Sequence, residues 1–213
     1  MMATITETGI CNLALTQLGA ATISDIDGSD KHSLACAAVF DHIRDVTLED
    51  HPWSFAQERV ALTDSGSDPT WTDDLMTEKY NKPTDLLKVN FANQENALVK
   101  VEGDYILSDT ASLKIKYTKQ ITDTTKFTSG FIMAFAHRLA ASISYRVTGK
   151  QNLAESLLTV YFEKTLPQAI SVDSQQSAPL QPVQNEWLIA REMASSPLIG
   201  RQGFNTWFPV NSY

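Results

Sequence analysis

The chain is poor in the residues that would announce a metal or redox centre. It has two cysteines in 213 residues, Cys11 and Cys36. They fall in separate helix-like segments among Leu and Ala, with no CxxC and no Cys/His cluster. Both read as buried free thiols, and neither zinc nor a redox pair is supported. Long apolar runs are also missing: none approaches the roughly 20 residues of a membrane-spanning helix, so no membrane span is expected. The opening MMATITETG has neither the basic nor the apolar region of a secretory signal, and none is expected. Basic residues are scarce in one place only. Residues 1–75 hold three Lys and Arg against thirteen Asp and Glu, a net −10, whereas residues 76–126 (eight against seven) and 127–213 (six against five) are each +1. Such an acidic third does not grip phosphates by counterion release, which disfavours ordinary nucleic-acid binding. A solvated, solubilising face is the plain reading.

Catalytic signatures are lacking as well. There is no nucleophile elbow, phosphate-binding glycine loop, dinucleotide fingerprint or HExxH. His42 lies in an acidic helical stretch and His137 beside Arg138 on another, positions of surface or satisfied histidines. Cys11 has no base partner. Asp25-Ile26-Asp27-Gly28-Ser29-Asp30 has the acids of a calcium loop, but its glycine comes too early and Cys36 stands where the bidentate Glu belongs. It is turn and cap chemistry. Glycoside hydrolysis needs two carboxyl groups about 5 to 9.5 Å apart; Glu49-Asp50 and Asp73-Asp74 are sequence neighbours whose side chains diverge. No enzyme activity and no cofactor is expected.

What is present is a helical chain with a strand-rich middle. Thr4-Ile5-Thr6-Glu7 has capping-box spacing, and Ile10, Leu13, Ala14 and Leu18 recur at helical intervals up to Gly19. A second helix is predicted from about Lys31 to Asp50, with Cys36, Val39, Phe40, Ile43 and Val46 as its apolar stripe. His51-Pro52 ends it, and Trp53 and Phe55 follow at alternating positions. Their plain role is to cover core, packed across the first two helices at the junction with a sheet. Residues 63 to 74 form a polar loop. Leu113-Lys114-Ile115-Lys116-Tyr117 alternates as a half-buried strand does, residues 97 to 109 read as a hairpin turning near Glu102-Gly103-Asp104, and Leu86–Phe91 and Arg59–Leu62 are further strands of one small antiparallel sheet. Helix returns near Ser129, with Ile132, Phe135, Leu139 and Ile143 as its buried line and Gly149 as its stop. Another helix starts near Gln151, carries Leu153, Leu157 and Tyr161, and is kinked or stopped by Pro167.

After about Ser171 the composition shifts again. Five of the eight prolines lie from residue 167 onward and no Lys follows Lys164, yet Trp187, Leu188, Ile189, Phe204, Trp207, Phe208 and Tyr213 are there. A proline-broken segment this apolar needs a surface from its own domain or from another chain. The expected fold is α+β, mainly α. Residues 1–58 and 127–170 make a helical bundle, 59–126 an inserted antiparallel β domain with a long loop, and 171–213 an extended C-terminal interaction arm.

In order, "ALTQLG" (14 to 19), "CAAVFDHIRDVTLEDHPWSFA", "YNKPTDLLKV", "FIMAFAHRLAASIS" and a late "NEWLIAR" resemble the head-to-tail adaptor proteins of short-tailed bacteriophages, also called tail tubular protein A or the tail accessory factor. The likeness spans nearly the whole chain. His51-Pro52-Trp53-Ser54-Phe55-Ala56 and Trp187-Leu188-Ile189-Ala190-Arg191 are its most specific parts, and order and spacing carry it rather than any one motif. The resemblance implies a structural connector of the virion, assembled in the host cytoplasm. It would be a ring, commonly of twelve copies, that sits under the portal protein, extends the DNA channel and supports the tail nozzle, with a tail fibre or spike as a further neighbour. It implies portal or neighbour contacts for Trp187 and Arg191, and by extension for Phe204, Trp207 and Phe208, the aromatic and Arg types that dominate interfaces. The acids Asp41, Asp45, Glu49 and Asp50 are candidates for a channel face that repels passing double-stranded DNA and does not bind it. The alternatives are a virion-associated peptidoglycan or polysaccharide hydrolase, and an adaptor of another tail type.

Overall fold

The computed structural model describes residues 5–66, 76–93 and 97–175. The chain is α+β and mainly helical, with two small antiparallel sheets set between helices. Helix α1 (Glu7–Gln17) is capped by Thr6, whose Oγ1 accepts from the Gly9 N–H at 3.1 Å. The cap thus stands two residues after the expected Thr4, which lies outside the described residues. Leu18 closes the helix and Gly19 takes the left-handed conformation (φ +65°) that a side chain would resist.

The helix expected from Lys31 to Asp50 is two helices, α2 (Lys31–Ala37) and α3 (Phe40–Asp50). Val39 leaves helical conformation at φ −127°, and its N–H closes a tight turn on the Cys36 carbonyl. The break lets each half aim its own row inward. Ser33, Ala35 and Cys36 are buried from α2, and Phe40, Arg44, Thr47 and Leu48 from α3. The expected stripe therefore holds for Cys36 and Phe40, while Val39, Ile43 and Val46 are only half-buried. Cys11 and Cys36 are free and buried, as read, but α1 and α2 also bring their thiols into contact. That hydrogen bond raises the Cys11 pKa and lowers that of Cys36.

The middle of the chain is two three-stranded sheets where one was expected. The strands are β1 (Gln57–Ala61), β2 (Glu78–Asn81), β3 (Leu86–Ala92), β4 (Val99–Glu102), β5 (Tyr105–Ser108) and β6 (Lys114–Lys119). They pair as β1-β6-β3 and β2-β5-β4. The hairpin β4–β5 turns at Gly103 with positive φ, where it was read. Strand β2, EKYN, has too few apolar positions to be read as a strand; Tyr80 holds it in place, being buried with its hydroxyl donating to the Thr110 carbonyl at 2.6 Å. Ile115 and Tyr117 of β6 face this second core with Tyr80, Ile106 and Leu113, while Lys114 and Lys116 turn the other way.

The principal core surrounds α4 (Ser129–Thr148), which packs against α1, α2, α3, α5 (Gln151–Val160) and α6 (Leu166–Ser174). Thr128 caps α4 and Gly149 ends it at φ +72°. Gly130 lets α6 lie close, since a Cβ there would meet Ala169 at 3.4 Å. Pro167 does not stop the last helix. One wide turn, Tyr161–Thr165, precedes it, in which the Leu166 N–H reaches back five residues to the Tyr161 carbonyl. The chain then re-enters an α-helix with Pro167 in its first turn, where a missing N–H costs little. Helix α6 runs to Ser174, so the first residues assigned to the arm, 171–174, belong to the bundle. The remainder of the arm, including Trp187, Arg191, Phe204, Trp207 and Phe208, lies outside the described residues.

Candidate functional site

The segment His51–Ala56 is where helices and sheets join. Trp53 is wholly buried and Phe55 half-buried. Their ring partners come from α4 and its approach more than from the first two helices. Trp53 meets Phe131 edge-on at 5.2 Å, and Phe55 meets Phe127 and Phe131 at 5.8 and 5.1 Å. The order helix, His-Pro, Trp has a further cause. A helix leaves its last carbonyls without donors, His51 is extended (φ −145°, ψ 144°), and Pro52 has no N–H. The Trp53 indole brings a donor to this helix end, bonding the Thr47 carbonyl at 2.9 Å. The core-covering role read for these aromatics is what the structure has.

The four acids proposed for a channel face divide. Asp41, Asp45 and Glu49 stand four residues apart along one side of α3. Asp41 and Glu49 are exposed, while Asp45 is half-buried and accepts from Gln120 Nε2 at 2.7 Å. Buried Arg44 reaches Asp41 at 2.6 Å and Asp45 at 2.9 Å. Asp50 turns inward to pair with Arg138 of α4, and the Tyr161 hydroxyl donates to its Oδ2 at 2.5 Å. Arg138 also lies over the Tyr161 ring, 5.2 Å from its centre. Glu49 and Asp50 diverge, as adjacent helical residues should, and Asp50 is part of the bundle's internal wiring. Asp73 and Asp74 lie outside the described residues.

A third group closes the end of α6. Asp173 is buried; its carboxylate accepts from the Ser54 N–H (3.0 Å) and the Ser54 hydroxyl (2.7 Å), with His51 Nε2 at 3.5 Å. Ser, His and Asp together invite a hydrolytic reading, but the connections run the wrong way. A nucleophilic serine needs its hydroxyl on the imidazole, and here it donates to the carboxylate. The group is a clasp between the α3 exit and the last turn of α6. Asp173→Ala is expected to cost about 2 kcal/mol, since two bonds to a charged acceptor vanish, and to lower the melting midpoint by roughly 6 °C in calorimetry. His42 is exposed, and His137 is half-buried against the Met133 carbonyl and Gln17. Among the described residues no three His, Cys, Asp or Glu side chains converge as metal ligands, and no helix is long and apolar enough to cross a membrane.

A groove lies on the sheet β1-β6-β3, lined by Arg59, Lys114, Lys116, Phe91 and their neighbours around a cavity of about 560 Å³. Nothing in the reading of the sequence singled it out. The alternation of β6 put its lysines outward, but only the pairing of Arg59 and Phe91 with Lys116 gathers them on one face. No family model matches the chain, and the curated proteins contain no significant match.

Proposed function

We propose that the protein is a structural head-to-tail connector of a short-tailed phage virion. A ring of copies, of the twelve-fold kind, sits under the portal protein and extends the DNA channel. It also provides the platform for the tail nozzle and for any fibre or spike beside it. The observation that carries this reading is the ordered series of segments from "ALTQLG" to "NEWLIAR". Support comes from the fold, a helical bundle with a small β part, which is what the resemblance implies. Three of the five quoted segments fall on α1, on α2 and α3 with the aromatic junction, and on α4; "YNKPTDLLKV" falls on β2 and β3, and "NEWLIAR" lies outside the described residues. The arrangement of Ser54, Asp173 and His51 is not that of a nucleophilic serine and lends nothing to the hydrolytic alternative.

The arm is tested by a chain ending at Ser177, because a cut at Ser171 would remove Asp173 and open the clasp. The shortened protein is expected to stay folded but to lose docking onto portal rings in electron micrographs. Docking as good as that of the full chain would refute the arm's assignment.

A further inference from the structure

We infer that the groove on the β1-β6-β3 sheet receives the acidic side of α3 from a second copy of this chain. The inference rests on the ring reading above and names the two faces that would meet. Arg59 and Lys114 are exposed and Lys116 half-buried, and Phe91, across Lys116 from Arg59, keeps 59% of its surface open. Among the described residues no carboxylate comes within ion-pair distance of these three cations. That is a marked concentration of positive charge in a chain of net −8. Lys119, at the far end of the same strand, shows the contrast, being paired with both Glu58 and Asp85. Three cations on two adjacent strands beside an open aromatic fit a partner that brings carboxylates on a firm support.

The chain carries such a partner in itself. Asp41, Asp45 and Glu49 rise along α3 at about 6 Å intervals, four residues at 1.5 Å each. Lys114 and Lys116 are about 7 Å apart along β6, two residues at 3.4 Å. The exposed acids, Asp41 and Glu49, stand about 12 Å apart along α3, eight residues at 1.5 Å each. Each can meet one of the long cationic side chains of the groove, while Asp45 stays with Arg44 and Gln120. The acidic and basic faces are different surfaces of one molecule, so the contact is head-to-tail and propagates, closing only as a ring. In this arrangement the acidic stripe is covered by the next subunit and does not line the channel.

The test uses two full-length variants, one with Arg59→Glu and Lys114→Glu, the other with Asp41→Lys and Glu49→Lys. All four positions are exposed, and melting curves check that each variant folds. Sedimentation velocity at concentrations where the wild type assembles should find each variant monomeric. An equimolar mixture should assemble, because each then offers the charge its partner lacks. A variant that assembles alone like the wild type, or a mixture of folded variants that stays monomeric, would overturn the pairing of faces and leave the ring intact. A wild type that never assembles, alone or on portal rings, would overturn the ring as well. Should a charge reversal fail to fold, Lys114→Gln and Glu49→Gln replace it, with at least a tenfold rise in the assembly concentration expected and an unchanged value counting against the interface.

Discussion

Trp53→Ala is expected to remove about 4 kcal/mol of stability, seen as a melting midpoint lower by roughly 12 °C. Three losses coincide at this position. The side chain is among the largest fully buried ones, so truncation leaves a cavity in a core that can close only in part. Its edge-on contact with Phe131 disappears, and with it the bridge between the junction and α4. The Thr47 carbonyl loses the indole donor at a helix end where Pro52 has no N–H to give. Trp53→Phe separates these effects. It keeps most of the ring contact and gives up the hydrogen bond, so it should cost about 1–3 kcal/mol. A loss below about 1 kcal/mol for the alanine variant, measured in urea, would mean that the junction is not a keystone of the fold.

The second large effect concerns Asp50 and Arg138. Both side chains are mostly withdrawn from water, and breaking such a pair strands a charge that water can no longer reach. Asp50→Asn or Arg138→Met alone is expected to cost about 3 kcal/mol, little affected by salt. The double variant Asp50→Leu with Arg138→Met should recover much of that loss, because no orphaned charge remains. Tyr161 adds a pH signature. Burial pushes its pKa up to about 12, against the opposing pull of Arg138. Burial, helped by the bond to Asp85, does the same for Tyr117. A raised tyrosine pKa favours the protonated folded state. Its contribution is complete below pH 10, the ordinary value, and is lost as pH rises from there through 12. Urea midpoints should hold steady up to pH 10 and fall beyond it, and Tyr161→Phe should blunt the fall. An alkaline profile identical in that variant would assign the loss to other groups.

Much of this fold could be read from local rules. Gly19, Gly103 and Gly149 mark turns because only they take positive φ cheaply, and the alternation of Leu113 to Tyr117 gave both a strand and its buried side. What escaped depended on distance. The division at Val39 follows from two rows of residues needing different angles to the core, which no local period reveals. Strand β2 exists because Tyr80 finds Thr110 thirty residues away. Asp50 looked like one more surface acid until α4 brought Arg138 to it. The site was less legible than the fold for the same reason: the cationic groove is assembled from three strands whose order, β1-β6-β3, is not their order in the chain.

The wide turn at Tyr161–Thr165 also changes the phase of everything after it. In an unbroken α-helix at 100° per residue, Ala169 and Asp173 would point about 80° and 120° away from Tyr161. One surplus residue taken up in the turn subtracts 100° from each, leaving about −20° and +20°. All three then look the same way, as their common burial shows. A single extra amino acid thus acts as the gear that meshes the hydroxyl serving Asp50 with the carboxylate clasping Ser54.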